Sequence, residues 1–159
     1  MSAPSQPHDR EPRPGSASDV AMDAEHCRYL LASVRVARVA FVDDGHPRIV
    51  VMNHRTDGDD VLLRTDVDAR LAALTEGGAS LPVELEVDSV SSAGRSGWSV
   101  IASGSLTRDE AAPESHLPLP WRSGATDVVL RLRVEHVRGL QVAKSDDLRD
   151  DAGAPPVRE

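Results

Sequence analysis

The chain has 159 residues, a formal net charge of −8 and an aromatic content of 3%. Its length makes one domain the default, and its acidity, with no block of Lys or Arg, argues against nonspecific nucleic-acid binding, which needs a basic face to neutralise phosphates. The single cysteine, Cys27, excludes an intrachain disulfide or a Cys-based metal cluster, no apolar run approaches a membrane span, and the N-terminus lacks the apolar core of a signal peptide, so the expected location is cytoplasmic.

Residues 1–21 are rich in Pro, Ser and Ala, show no periodic apolar face, and are expected to be a disordered tail. A helix is predicted from Asp23, whose side chain can cap it, with Cys27, Leu30, Leu31 and Val34 at helical spacing. Cys27 there reads as a small buried hydrophobe rather than a nucleophile. Val34–Val42 reads as a strand, Asp43-Asp44-Gly45-His46-Pro47 as a hairpin turn, and Arg48–Arg55 as the return strand. The apolar run Ile49-Val50-Val51-Met52 in that second strand indicates burial on both faces or a strand lying against a ligand. After the turn Asp57-Gly58-Asp59, Val61–Thr65 makes a third strand. Asp68 can cap a short helix carrying Leu71 and Leu74, ended by Gly77-Gly78.

Pro82–Val90 alternates cleanly, with Val83, Leu85 and Val87 on one face and Glu84, Glu86 and Asp88 on the other, where the acids read as a solvated face. The fifth strand alternates Trp98, Val100, Ala102, Gly104 and Leu106 with Ser99, Ile101, Ser103 and Ser105. Gly104 inside it predicts a bulge or a close backbone approach. Asp109–His116 is predicted as a short helix, and Leu117–Trp121 as an irregular connection. The sixth strand runs Asp127–Val137, Gly139 turns a last piece Leu140–Val142, and residues 144–159 are expected to be a disordered tail. Six strands of this length are expected to close into a small barrel, because closure removes unpaired edges.

Arg64 and Thr65 end a strand and Arg70 opens the helix after it. Two guanidinium groups, a hydroxyl and a helix N-terminus are suitable parts for a phosphate site; two surface Arg residues flanking a turn would show the same pattern. The six His residues form no metal-type spacing, and His54 and His136, the latter on the apolar face of the last strand, read as structural. No nucleophile elbow, Walker loop or dinucleotide fingerprint is present, so those hydrolase, triphosphatase and dinucleotide readings lack support.

The order and spacing of these segments resembles the pyridoxamine 5'-phosphate oxidase-like proteins, a flavin-binding split-barrel group common in actinobacteria. The resemblance runs through Glu25 and Cys27, Val39–Gly45, Val50–Asn53, Asp57–Asp59, Arg64-Thr65, Leu71–Leu74, Glu86–Asp88, Arg95–Val100, Pro120-Trp121 and Val137–Gly139. It implies a mainly β fold, a six-stranded split barrel with short flanking helices over residues 22–143, paired as a homodimer with flavin mononucleotide (FMN) in grooves at the interface. It implies that Arg64, Thr65 and Arg70 hold the phosphate and that Leu71 also binds the cofactor. The flavin ring would lie along Val50, Val51, Met52 and Asn53, with Arg95, Trp98 and Ser99 near the cofactor. The implied activity is a flavin-dependent oxidoreductase acting on a small organic substrate, with neither nucleic acid nor membrane as partner. The alternatives are a non-catalytic barrel binding a flavin, a deazaflavin or another ligand, and a deazaflavin-dependent reductase. Related sequences commonly carry Lys at Arg70, Pro at Val51, Tyr at His54, Phe at Leu63 and two Arg at Leu140 and Gln141. These departures remove aromatic and cationic contacts near the groove, so loss of the cofactor is a further alternative. The resemblance fixes no catalytic acid or base, and no second basic cluster for a phosphorylated substrate is evident.

Overall fold

The computed structural model describes residues 19–66, 69–91, 96–119 and 128–142. Seven strands and two helices follow in the order β1 (Asp19–Ala21), α1 (Ala24–Ser33), β2 (Val36–Asp43), β3 (His46–Asp57), β4 (Asp60–Thr65), α2 (Arg70–Leu74), β5 (Leu81–Ser91), β6 (Ser96–Arg108) and β7 (Val128–Val142). Strands β2 to β7 close on themselves in the antiparallel ring β2-β3-β4-β7-β6-β5, which is the mainly β barrel expected from the alternating segments. Among the described residues no helix is long and apolar enough to cross a membrane.

The seventh strand is additional to the six expected. Asp19–Ala21, assigned above to the N-terminal tail, pairs with the end of β7, Asp19 opposite Val142 and Ala21 opposite Leu140. The expected break at Gly139 is absent: β7 is continuous over 15 residues, since its last residues pair with β6 on one side and β1 on the other. Helix α1 starts where expected, with the Asp23 carboxylate accepting a 2.7 Å bond from the His26 amide. It stops before Val34, which is already extended, so β2 begins two residues later than the apolar run implied.

Tight turns set the ladder. Asp44 and Gly45, both at positive φ, join Asp43 to its partner His46, the two-residue chemistry a hairpin requires. The core packs Val39, Val61, Leu63, Leu85, Val87, Val100, Ala102, Leu106, Leu130 and Leu132 inside the ring, with Cys27 and Leu31 of α1 among them.

Gly104 marks a bulge, as its place in the strand predicted. It faces Val134 while Ser103 faces His136, which leaves Glu135 as the extra residue. A Cβ on Gly104 would stand 2.0 Å from the Arg133 carbonyl oxygen. The bulge also corrects the reading of His136. It shifts the alternation of β7 by one, so Val137 turns toward the core and His136 is exposed. The predicted helix over Asp109–His116 reduces to one 3₁₀ turn, Glu114–His116. Pro113 lacks the amide a helix would use there, and the Asp109 side chain accepts from the Ala111 amide in a turn instead. Gly104→Ala is expected to cost about 3 kcal/mol, the upper end for overpacking against rigid backbone. Urea denaturation would read this as a lower midpoint; an unchanged midpoint would show that the bulge relaxes freely.

Candidate functional site

The barrel is split along β3. Its second half pairs with β4 from His54 to Asp57, but its first half pairs with β2 alone. Among the described residues, therefore, the backbone of Val50–Asn53 has one edge that no strand covers. Buried or half-buried backbone groups need partners, so this edge can receive the polar rim of a planar ligand. One step beyond the last β3–β4 pair, His54 with Leu63, stand Asn53 and Arg64, both on the outer face of the barrel.

The residues expected to touch a cofactor sort by face. Val51 points outward and is 68% exposed, as is Ile49, whereas Val50 and Met52 pack against the core. Any contact from the latter pair is through the backbone. Leu71 is buried in the core, so its side chain is withdrawn from any groove. Thr65 closes β4 opposite Val128. Helix α2 is only five residues long, so it adds little of the helix-terminus charge invoked above. Asp68, expected to supply that cap, lies outside the described residues, as do Arg95, Pro120 and Trp121.

Trp98 and Ser99 form a separate group. Trp98 packs partly buried against the core, while Ser99 faces out beside Leu140. Arg64 is paired with Val129 on the same strand β7 that carries Leu140, eleven residues further on. At about 3.3 Å per residue this separation is roughly 35 Å along the strand. Within one chain Ser99 and Arg64 therefore lie far apart.

A strap, residues 109–119, crosses the outer face of β3, β4 and β7 beside Arg64. It is tied down by polar contacts that no local pattern announces. Arg131 donates to Asp109 at 2.7 Å, to Asp57 at 2.8 Å and to Asp60 at 3.4 Å. His116 bonds Asp57 at 2.9 Å, Arg55 donates to the Ser115 carbonyl at 2.7 Å, and Asn53 donates to the Leu119 carbonyl at 2.7 Å. Leu62 points outward by alternation yet is fully buried, and its partners Arg55 and Arg131 both bond to the strap, which is thus what covers it.

Both guanidinium groups expected for a phosphate already have carboxylate partners. Arg64 donates to Glu114 of the strap at 3.1 Å, and the Glu114 side chain is 80% exposed. Arg70 grips Asp43 with two nitrogens, Nε lying 2.9 Å from each carboxylate oxygen. Hydrogen bonding to Arg70 holds the Asp43 carboxyl below its ordinary range despite its burial. The two pairs differ in how readily they would yield: Glu114 is solvated on a strap, whereas Asp43 is nearly buried in the β2–β3 turn. The outward acids of β5 are neutralised likewise, Glu84 by Arg138 at 2.9 Å, and Glu86 and Asp88 by Arg38 at 2.9 and 2.7 Å.

His54 is structural, as expected, but only half satisfied. Its Nε2–H donates to the Leu31 carbonyl at 2.9 Å when that nitrogen carries the proton, while Nδ1 is buried without a partner. Burial pushes its pKa down, the Leu31 bond opposes this, and the nearby Arg35 adds to the fall.

A closed antiparallel ring with an uncovered half-strand defines a split β-barrel. The chain belongs to the pyridoxamine 5'-phosphate oxidase family, whose model matches residues 23–141. A protein of Mycobacterium tuberculosis described as uncharacterized is 32% identical over 143 residues, which span 86% of this chain and 94% of that one. Two solved structures share the fold. An FAD binding protein from Mycobacterium smegmatis is 21% identical with a TM-score of 0.60, covering 78% of this chain and 98% of its own. An FAD-binding protein from Mesorhizobium loti is 20% identical with a TM-score of 0.64, covering 79% and 99%.

His54 gives this region a pH signature. With the folded-state pKa lowered, the unfolded chain binds the extra proton, so stability is full above the ordinary histidine value of about 6.5 and falls as pH drops below it. Asp43, Asp57 and Glu84, held low by Arg70, Arg131 and Arg138, add their losses only below the ordinary carboxylate range. Thermal melts of the protein are expected to shift down between about pH 6.5 and 5, and His54→Tyr is expected to flatten that slope. An equal slope in the variant would assign it elsewhere.

Proposed function

We propose that the uncovered edge of β3 and the Arg64 guanidinium together hold FMN, and that the protein is a flavin-dependent oxidoreductase acting on a small organic substrate. The observation that supports this best is the uncovered backbone of Val50–Asn53 ending beside Arg64 on the same outer face. The names of the two solved relatives, both flavin binders, point the same way. The backbone edge suits the polar rim of an isoalloxazine ring, and a guanidinium suits a phosphate. Thr65 adds a hydroxyl at the end of β4, and Arg70 a second positive charge behind its pair with Asp43.

Bound flavin supplies hydride or electron transfer. The chain's own residues bind, orient and shield it. Val51 and Ile49 offer an apolar floor, and the strap limits access of water from one side. Glu114 occupies Arg64 until an anion replaces it, so phosphate binding is an exchange of one carboxylate for one phosphate. Val42, Ile49 and Val51 form an exposed apolar row on the outer face of β2 and β3. A second copy of the chain would cover this row, and a homodimer would also deliver Trp98 and Ser99 of one subunit toward the Arg64 region of the other.

Titration with FMN, followed by flavin fluorescence, tests the reading. Arg64→Ala is expected to weaken binding about 10- to 100-fold, the range of a charge-assisted bond. Glu114→Gln, which removes the competing charge, is expected to tighten it about two- to fivefold. Colourless protein with no FMN uptake at saturation would overturn the proposal.

A further inference from the structure

A cleft of about 310 Å³ opens where the strap leaves β3, lined by Arg35, Asn53, His54, Arg55, Leu117, Pro118 and Leu119. Two arginines, Arg35 and Arg55, stand on the lining of this one cleft. Carboxylates outnumber cations overall, 26 Asp and Glu against 18 Lys and Arg, and Arg28, Arg38, Arg64, Arg70, Arg131 and Arg138 all form ion pairs with them. Arg35 and Arg55 form none among the described residues. Arg55 spends one N–H on the Ser115 carbonyl, a neutral acceptor. Two guanidinium groups with no ion-pair partner among the described residues therefore line one cleft whose other wall, Leu117-Pro118-Leu119, is apolar. That wall is held in place by the Asn53 amide bond to the Leu119 carbonyl.

We propose that this cleft binds a small amphipathic anion, with its carboxylate or equivalent group on Arg35 and Arg55 and its apolar body against Leu117–Leu119, and that this anion is the substrate class of the protein. The term substrate rests on the flavin reading; the binding site does not. The cleft shares Asn53 with the uncovered β3 edge, so an occupant of the cleft abuts a ring lying along that edge. An anion there would offset the field of Arg35 on the His54 imidazole, which makes His54 a built-in reporter. A carboxylate can bond both guanidinium groups in charge-assisted pairs, whereas a neutral isostere leaves both cations unpaired. The same chemistry could be presented by a free carboxylate or by the adenylate half of a larger flavin, so the probes must separate them.

The test is nuclear magnetic resonance titration of the full-length protein without flavin, using benzoate, benzamide and AMP. Benzoate is expected to shift the Asn53, Leu117 and Leu119 amides and the His54 ring protons. Benzamide is expected to bind at least about tenfold more weakly, and Arg35→Gln and Arg55→Gln, both at exposed positions, each to weaken benzoate about fivefold or more. Equal shifts from benzoate and benzamide, no shift from benzoate at its solubility limit, or Arg variants that bind benzoate unchanged would overturn the site. AMP displacing benzoate from the same resonances would overturn the substrate assignment in favour of a dinucleotide cofactor. The flavin proposal fails on absent FMN uptake, whichever way benzoate behaves.

Discussion

Arg131 is the cation on which the outer surface of the barrel depends. It sits on β7 opposite Leu62 and gathers Asp57, Asp60 and Asp109 around one guanidinium. Those three carboxylates come from the β3–β4 turn and from the start of the strap. Without the cation they would face one another in a partly buried setting, where repulsion is little screened. Hydrogen bonding to Asp109 and Asp57 raises the Arg131 pKa further, so the group stays charged at any working pH. One side chain thus joins the hairpin end, the closing strand and the strap.

The state of the candidate site follows from that anchor. Because Asp109 is held, the next ten residues are drawn back over β4 and β3, burying Leu62 and Leu117 and laying Glu114 on Arg64. The strap then does two different things along its length. At Glu114 it supplies a negative charge that a phosphate must displace. At Leu117–Leu119 it supplies an apolar wall with no charge opposite Arg35 and Arg55, which have no ion-pair partner among the described residues. The same segment therefore tempers one cationic site and frames another. Glu114 is the solvated member of its pair and can leave Arg64 at little cost, whereas Asp43, the nearly buried partner of Arg70, ties that guanidinium to the β2–β3 turn.

Much of the barrel was legible because half-buried strands advertise themselves. Val83, Leu85 and Val87 against Glu84, Glu86 and Asp88 fix the faces of β5, and Gly104 announces its bulge. The error at His136 came from the consequence of that bulge: one extra residue in β7 reverses every face after it, and no residue near His136 signals the change. The strap was not legible, because its contacts are tertiary. Arg64 finds Glu114 from 50 residues away and Arg131 finds Asp57 from 74, and polar residues scattered through a Pro-containing stretch carry no period. Leu71 was expected at the cofactor, and its side chain lies in the core instead, because on a helix turn neighbouring residues point to different environments. Trp98 marked the strand; its ring packs at the margin of the core.

In the proposed site a phosphate on Arg64 anchors a flavin whose ring lies on the uncovered edge of β3. The most direct measurement is the pair of dissociation constants for FMN and for riboflavin, which differ only in that phosphate. FMN binding at least about tenfold tighter than riboflavin is the expected result for a charge-assisted anchor. Equal affinities, or tighter binding of riboflavin, would contradict it.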